Sequence, residues 1–451
     1  MPKRHGFTFA AAELRAMAEQ VLARAKSGGA SGCDCEVSEA YGLTVTVRKG
    51  KPDTIEHNRD RSVGVSIYMG DRPKIRRGHA STSDVSRAAL EQTVDAALAI
   101  ARHTAEDDCA GLPDPELLAK DVKDLDLFHP WAIETEEAIE LAKRCEDAAF
   151  ATAPVIRNSE GATVSTQQSQ FVLANSLGFT GGYPGSRHYL SCAVIAQQAG
   201  LMQRDDWYSS SRVAGKIAEP RALGRYAAQR AAARLGSRKI ATCQAPVLFE
   251  APAAIGLLGH FVSAANGGSL YRKTSFLVDS LGRQVFSPAV QIEERPFERQ
   301  GAASTPFDDE GVATRERTVV RAGVLEGYFL GSYSARKLGM QSTGNAGGHH
   351  NLLLKSNGPN FAGMLRKMGR GLLVTELLGH GINLVTGDYS RGAAGFWVDG
   401  GEIQFPVEEI TIAGNLRDMF KGIVAVGADV LVRSGRSCGS ILVENMTIAG
   451  D

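Results

Sequence analysis

The segment from residue 371 to residue 416 restricts the fold of this chain more than any other part of the sequence. Its apolar runs are divided by nine glycines, which is typical of tight backbone turns and argues against one long regular element. The apolar runs 396–398 and 403–407 are joined by an Asp-Gly-Gly sequence at 399–401, whose residues tolerate positive φ. This pattern predicts a β-hairpin. The earlier apolar run 372–374 fits either a buried strand or the beginning of a helix.

The first half of the chain switches between two hydrophobic periods. Apolar residues recur at helical spacing between Leu14 and Ala25, and the pattern changes to strict alternation between Cys35 and Thr82. Ser83 or Asp84 is then expected to cap a second helix. The later blocks are a helix from about Thr135, strands over roughly 155–214, and a helix from Pro220 to Leu235.

Helices and strands that come in blocks, without strict alternation, predict an α+β fold. A length of 451 residues is enough for two or three domains with substantial cores. We expect an N-terminal domain over residues 1–238, with helices packed on a mostly antiparallel sheet. Residues 239–451 are expected to form a β-rich domain with short helices.

Charge and composition exclude several classes of function. Fifty basic and fifty acidic residues cancel, so no overall field would attract nucleic acid or an anionic membrane. No stretch approaches the roughly 18 uninterrupted apolar residues that a membrane helix needs. The seven cysteines are scattered without a CxxC pair or metal-ligand spacing. A cytoplasmic location is therefore predicted.

Polar residues lie between the glycine turns and the predicted hairpin, namely His380, Asn383, Asp388 and Arg391. A rigid hairpin that fixes such side chains suits binding of a peptide or a partner chain. The alternative is that these residues only satisfy the hydrogen bonds of a loop backbone. Glu376 and His380 would form an i, i+4 pair if this segment were helical. No nucleophile accompanies them, so no hydrolytic triad is predicted.

A second candidate binding segment is the glycine-rich stretch at residues 342–351. It contains Asn345, His349 and His350 and leads into an apolar strand at 352–354. It lacks the Lys-Ser/Thr ending of a phosphate-binding loop. Two interpretations remain open: a loop that lays its backbone against a peptide or partner, and a turn with solvent-exposed histidines.

Long motifs link the second half of the chain to a known family. TELLGHGIN, TGDYSRGAAGF, GGEIQFPVEEITIAGNL and CGSILVENMTIAG resemble the PmbA/TldE branch of the TldD/PmbA (modulator of DNA gyrase) metalloprotease family. The similarity extends from about Asp34 to the C-terminus.

The resemblance implies a degenerate metal site. The catalytic TldD branch carries an HExxxH helix, in which two imidazoles bind zinc and the glutamate acts as general base. Aligned on GLL, this chain has Gly259 and Ala264 at the two histidines and His260 at the glutamate. Cys438 falls at the position of a cysteine ligand. Glycine and alanine have no donor atom, and a catalytic zinc normally needs three protein ligands. Without the resemblance, the apolar pattern of residues 251–265 predicts only a buried helix.

The resemblance therefore implies the non-metal subunit of a TldD/TldE-type heteromeric metallopeptidase that degrades or processes short or unfolded peptides. We assign no catalytic residue, metal ligand set or cofactor to this chain, and expect zinc in a TldD-like partner. A homodimer is the alternative assembly when the chain is alone. Two rival functions remain: a stand-alone peptidase with an unrecognised site, and a binding or scaffolding protein without a role in proteolysis.

Overall fold

A computed structural model of the protein describes residues 6–450. The helices are α1 Ala11–Ser27, α2 Arg87–His103, α3 Thr135–Thr152, α4 Pro220–Ala233, α5 Ala251–Ala264, α6 Gly267–Tyr271, α7 Ser332–Lys337, α8 Phe361–Met368 and α9 Leu416–Lys421. The N-terminal strands are β1 Gly32–Arg48, β2 Lys51–Met69, β3 Arg76–Thr82, β4 Ile156–Asn175, β5 Thr180–Gly181, β6 Pro184–Gln198 and β7 Leu201–Ser211. The C-terminal strands are β8 Cys243–Phe249, β9 Ile292–Glu294, β10 Arg317–Arg321, β11 Val324–Leu325, β12 Leu352–Leu354, β13 Gly371–Leu378, β14 Asp388–Asp399, β15 Glu402–Asn415, β16 Ile423–Val426, β17 Leu431–Arg433, β18 Arg436–Cys438 and β19 Ile441–Ala449.

The N-terminal domain is an antiparallel sheet covered by helices on one face. Its strand order is β3-β2-β1-β4-β6-β7, with the short β5 paired to β4. Strict alternation in β1 sends Cys33, Val37 and Val45 to the helical side, where all three are buried. Helices α1 and α2 cover one half of the sheet, and α3 and α4 cover the other. The predicted α+β fold is confirmed.

The beginning of α2 differs from the prediction. Ser86 is the N-cap, because its hydroxyl accepts a hydrogen bond from the Ala89 amide at 3.4 Å. The Asp84 carboxylate instead accepts from the Ser86 amide at 2.8 Å and fixes the turn before the helix. Assigning the cap to Ser83 or Asp84 was therefore wrong. Within residues 6–450, no helix is both long and apolar enough to cross a membrane.

The C-terminal domain contains two sheets. In the larger one, β8, β13, β14, β15 and β19 form a closed cycle of pairings, and β16 adds to β19. The second sheet has the order β11-β10-β9-β12-β18-β17. The predicted hairpin is present as β14 and β15, which turn at Gly400 and Gly401 with φ of 61° and 78°. The ambiguous run 372–374 is part of β13, between β8 and β14.

Ion pairs connect the two halves of the chain. Arg230 on α4 contacts Asp205 of β7 at 3.1 Å and Glu250, just before α5, at 2.9 Å. Arg234, the residue that caps the C-terminus of this helix, contacts Glu376 of β13 at 2.5 Å. The predicted boundary at residues 238/239 lies between α4 and β8. The pairs with Glu250 and Glu376 therefore link the α4 side of the N-terminal domain to the C-terminal domain.

Candidate functional site

A groove runs between the polar face of the N-terminal sheet and the loops of the C-terminal domain. It contains cavities of about 1110 Å³ and 460 Å³, which share Asp309 and Ala346 in their walls. Alternation in β1 sends Asp34, Glu36 and Ser38 away from the helices and into this groove. The opposite wall includes the glycine-rich segment at 346–350. This groove therefore lies at the domain interface, where peptide and cofactor sites are common.

Carboxyl groups of differing exposure line the groove: Asp308 is buried, Asp34 is partly buried, and Glu36 and Asp309 are exposed. Desolvation by the surrounding protein raises the pKa of Asp34, Glu36 and Asp309, and it raises the pKa of Asp308 to about 7. Asp34 accepts a hydrogen bond from the Tyr68 hydroxyl at 3.0 Å. A carboxyl group with a raised pKa spends more time protonated and then donates a hydrogen bond as well as accepting one. The groove thus offers both donors and acceptors to a polar ligand.

Glu294 fixes the glycine-rich segment. Its carboxylate accepts from Asn345 Nδ2 at 2.7 Å, from the His350 amide at 2.8 Å and from Arg317 Nε at 2.7 Å. The His350 ring contacts the Gly344 carbonyl oxygen through Nε2 at 2.9 Å. Asn345 and His350 are only 3% and 8% exposed. Their side chains hold the loop in shape, and the interpretation as a turn with exposed histidines is wrong for His350.

His349 points differently from its neighbour. It lies in the wall of the smaller cavity, and its Nε2 atom is buried without a hydrogen-bond partner. Burial, together with the positive charge of Arg436, lowers the pKa of His349 to about 4. The imidazole is therefore neutral at pH 7. Of the two adjacent histidines, His349 is the one placed to meet a ligand.

An arginine side chain packs against the helix at one of the degenerate metal positions. A Cβ atom added at Gly259 would overlap Arg436 Nη1, so the guanidinium occupies the place of a side chain at that position. Arg436 Nη1 also donates to the Ile255 carbonyl at 3.4 Å. Ala264 is fully buried in the core behind it. The prediction that 251–265 is a buried helix agrees with α5.

The remaining donors at this site do not suit zinc. His260 keeps a buried Nε2 atom without a partner, and burial together with Arg391 and Arg436 lowers its pKa to about 4. Cys438 is fully buried, and burial raises the pKa of its thiol to about 12, which disfavours the thiolate that binds metals. A guanidinium between these groups would repel a cation. The residues present therefore do not fit a catalytic zinc.

One other group of donors includes two carboxylates in the wall of the larger cavity. Asp107, Asp108 and Cys109 form the only set of three His, Cys, Asp or Glu donors within 4.8 Å of one another in residues 6–450. Lys337 Nζ already contacts both carboxylates at 3.1 Å. The Lys337 ammonium group therefore already pairs with both carboxylates and would compete with a metal ion for them.

The segment between β13 and β14 folds back on itself. Glu376 and His380 do not lie on a helix, so the conditional i, i+4 pair does not form. Asn383 Oδ1 accepts from the Val385 amide at 2.9 Å, and Asp388 accepts from Asn415 Nδ2 at 3.1 Å. His380, Asn383 and Asp388 are exposed, whereas Arg391 is partly buried. The structure thus separates Arg391, which reaches toward α5, from the other three residues.

Arg391 belongs with the degenerate metal positions. Its Nη2 donates to the Leu377 carbonyl at 3.2 Å, and its charge acts on both His260 and Tyr389. The Tyr389 ring lies 6.0 Å from the His260 ring and nearly edge-on to it. The structure therefore brings together His260, Arg391 and Cys438, while the sequence reasoning missed Arg436 and Tyr389. A glycine at 259 in an apolar helix indicates space beside the helix, but it does not indicate which side chain fills that space.

Comparisons with known proteins agree with this architecture. The sequence matches PmbA/TldA metallopeptidase domain 1 at residues 33–101, the central domain at 128–235 and the C-terminal domain at 242–450. Metalloprotease PmbA of Escherichia coli O157:H7 is 49% identical over 94% of this chain and 93% of its own length. A metalloprotease PmbA homolog of Haemophilus influenzae is 45% identical over 97% and 96%.

Solved structures share the fold over nearly the whole chain. A proposed modulator of DNA gyrase from Bacteroides thetaiotaomicron has a TM-score of 0.91 at 25% identity and covers 97% of this chain and 99% of its own. TldE from Thermococcus kodakarensis has a TM-score of 0.83 at 18% identity, over 96% and 100%. Sequence and fold lead to the same conclusion: this chain belongs to the PmbA/TldD metallopeptidase family.

Proposed function

We propose that this chain is the non-metal subunit of a heteromeric TldD-type metallopeptidase. The observation that carries the proposal is the Arg436 guanidinium seated against Gly259, where the catalytic branch needs an imidazole. A cation built into the site replaces the charge of a metal but supplies neither a Lewis acid nor a bound water. The zinc and the general base would then come from a TldD-like partner. Metalloproteases named TldD homolog are among the relatives of this chain, at 22% and 24% identity over part of its length.

The role of this chain would be to form part of the groove in which the peptide binds. The groove between its two domains offers carboxyl groups and the backbone of Gly347 and Gly348. Main-chain hydrogen bonds of this kind hold extended peptides with little demand on their sequence. This supports short or unfolded peptides as the substrate class. The seven cysteines are all unpaired thiols, in keeping with the cytoplasm as the proposed location.

Co-expression with the TldD-like protein of the same host tests this proposal. We expect the co-purified complex to cleave an unfolded peptide, and each chain alone to be far slower, because only the complex contains both zinc and the completed peptide path. The matched control is a complex whose partner carries Gln in place of the HExxxH glutamate; it should assemble and remain inactive.

Two results would contradict the proposal. Cleavage by this chain alone after treatment with a chelator would establish a stand-alone peptidase. If adding this chain changes neither the cleavage rate of the partner nor its affinity for the peptide, this chain is a binding or scaffolding protein without a role in proteolysis.

A further inference from the structure

One face of α5 is left open by the rest of the fold. Pro252, Gly256, Gly259, His260 and Ser263 recur along it at helical spacing and are each partly or fully exposed. Nothing lies within 4 Å of a Cβ atom added at Gly256, so there is free space beside the helix. The opposite faces of the helix are packed in the core. An open face on an otherwise buried helix gives a ligand access to the side chains around it.

The charge around this open face is positive and not neutralised. Arg391 and Arg436 flank His260, and both lower its pKa through their charge. Across residues 6–450, neither arginine has a carboxylate oxygen within 4.0 Å; their hydrogen bonds go to the backbone carbonyls of Leu377, Leu378 and Ile255. Half-buried guanidinium groups are usually paired, since burying an uncompensated charge costs free energy.

Several polar atoms at this site also lack partners. Arg436 Nε, His260 Nε2 and the Tyr389 hydroxyl are buried and form no hydrogen bond in the described part of the chain. Tyr389 is only 1% exposed, and its ring lies beside His260. Unsatisfied buried polar groups are rare, and a group of them around one face is typical of a site completed by a ligand. Arg436 Nε and the Tyr389 hydroxyl are donors, so the ligand should be an acceptor.

We propose that this face binds a carboxylate, and that the carboxylate is the C-terminus of a peptide. The inference rests on the proposed peptide substrate and adds a specificity element to it. Arg436 would supply a fork of N–H donors that matches the two oxygens of a carboxylate, and Arg391 a second positive charge. Tyr389 would donate its hydroxyl, and the neutral His260 completes the wall without adding charge. The degenerate metal position would thus bind the C-terminal carboxylate of a peptide.

A binding experiment with three small peptides tests this assignment on the full-length chain alone. The probes are N-acetyl-Ala-Ala-Ala as the free acid, the same peptide as its carboxamide, and N-acetyl-Ala-Glu-Ala carboxamide. Acetylation removes the terminal amine, which would otherwise be attracted to the acidic groove. By calorimetry we expect the free acid to bind about tenfold or more tightly than the carboxamide, because charge-assisted bidentate bonds exceed neutral ones.

Substitutions then assign the effect to the site. Arg436→Gln should abolish the preference for the free acid. Arg433→Gln is the matched control: it removes a nearby arginine that packs on the Tyr208 ring at 3.7 Å, and it should keep the preference. If Arg436→Gln does not fold, as judged by thermal denaturation, Arg391→Gln provides the second variant and should reduce the preference.

Weak binding of the glutamate peptide would support recognition of the chain terminus, whereas binding as tight as that of the free acid would overturn the assignment to a C-terminus. Equal binding of free acid and carboxamide by the wild-type chain, no binding of either, or a preference that survives both substitutions would overturn the proposal. Because the partner is absent from this assay, such a failure leaves the proposed subunit role untouched, and failed cleavage by the complex would leave this binding result standing.

Discussion

Replacement of Glu294 by alanine is expected to lower the free energy of unfolding by about 3–5 kcal/mol. Glu294 is 2% exposed and is the carboxylate partner of Arg317, which is 12% exposed, at 2.7 Å. It also accepts from Asn345 and from the His350 amide. The substitution removes one member of a buried pair and leaves a guanidinium and two N–H donors without their acceptor. We expect the glycine-rich segment to lose its shape first.

Urea denaturation of the variant and of a matched control measures this effect. Glu326 follows β11 of the same sheet and pairs with Arg321, but both side chains are exposed, at 37% and 59%. Glu326→Ala should therefore cost only about 0–1 kcal/mol. If Glu294→Ala costs no more than this control, Glu294 does not organise the loop and the groove must be held in another way.

The second large effect is expected at the domain interface. Arg230→Ala should cost about 3–5 kcal/mol, because it leaves two carboxylates that were paired with one guanidinium. Asp205 and Glu250 are 12% and 14% exposed in these pairs, and Asp205 would retain only Arg234 at 3.7 Å. Burial raises the pKa of Glu250 and Arg230 lowers it, so losing the arginine makes ionised Glu250 still less favourable.

The control for this prediction is Arg204→Ala on β7. Arg204 pairs with Glu160 and Asp206, but all three side chains are 43–48% exposed, so about 0–1 kcal/mol should be lost. Thermal and urea unfolding of both variants would measure the stability that each substitution removes. Equal stability of the two variants would show that the Arg230 pairs do not hold the domains together.

The turn glycines and apolar runs of the sequence predicted those elements of the fold that depend on residues close together in the chain. The hairpin at 399–401 follows from its glycines, and α5 follows from an apolar run that begins with proline near its first residue. The run 372–374 was ambiguous because three apolar residues suit a strand or a helix equally. Its pairing with β8 and β14 decides the question, and that pairing depends on tertiary structure.

The candidate site was predictable only in part, because its residues come from distant segments. The degenerate positions Gly259 and Ala264 were visible through the family motif. No sequence pattern indicated that Arg436 would fill the space beside Gly259, or that Glu376 would pair with Arg234 at the C-terminus of α4. The groove carboxyl group of Asp34 alternates with core residues of an ordinary strand, so nothing local marks it as functional.

The metal content of the purified chain tests the central claim most directly. Only His260 and Cys438 remain as donors at the degenerate positions; the first is a neutral imidazole beside two arginines, and the second is a fully buried thiol whose pKa is raised to about 12. After gel filtration in metal-free buffer, elemental analysis should find zinc far below one equivalent per chain. One tightly held equivalent of zinc per chain would contradict the account and restore a metallopeptidase that acts on its own.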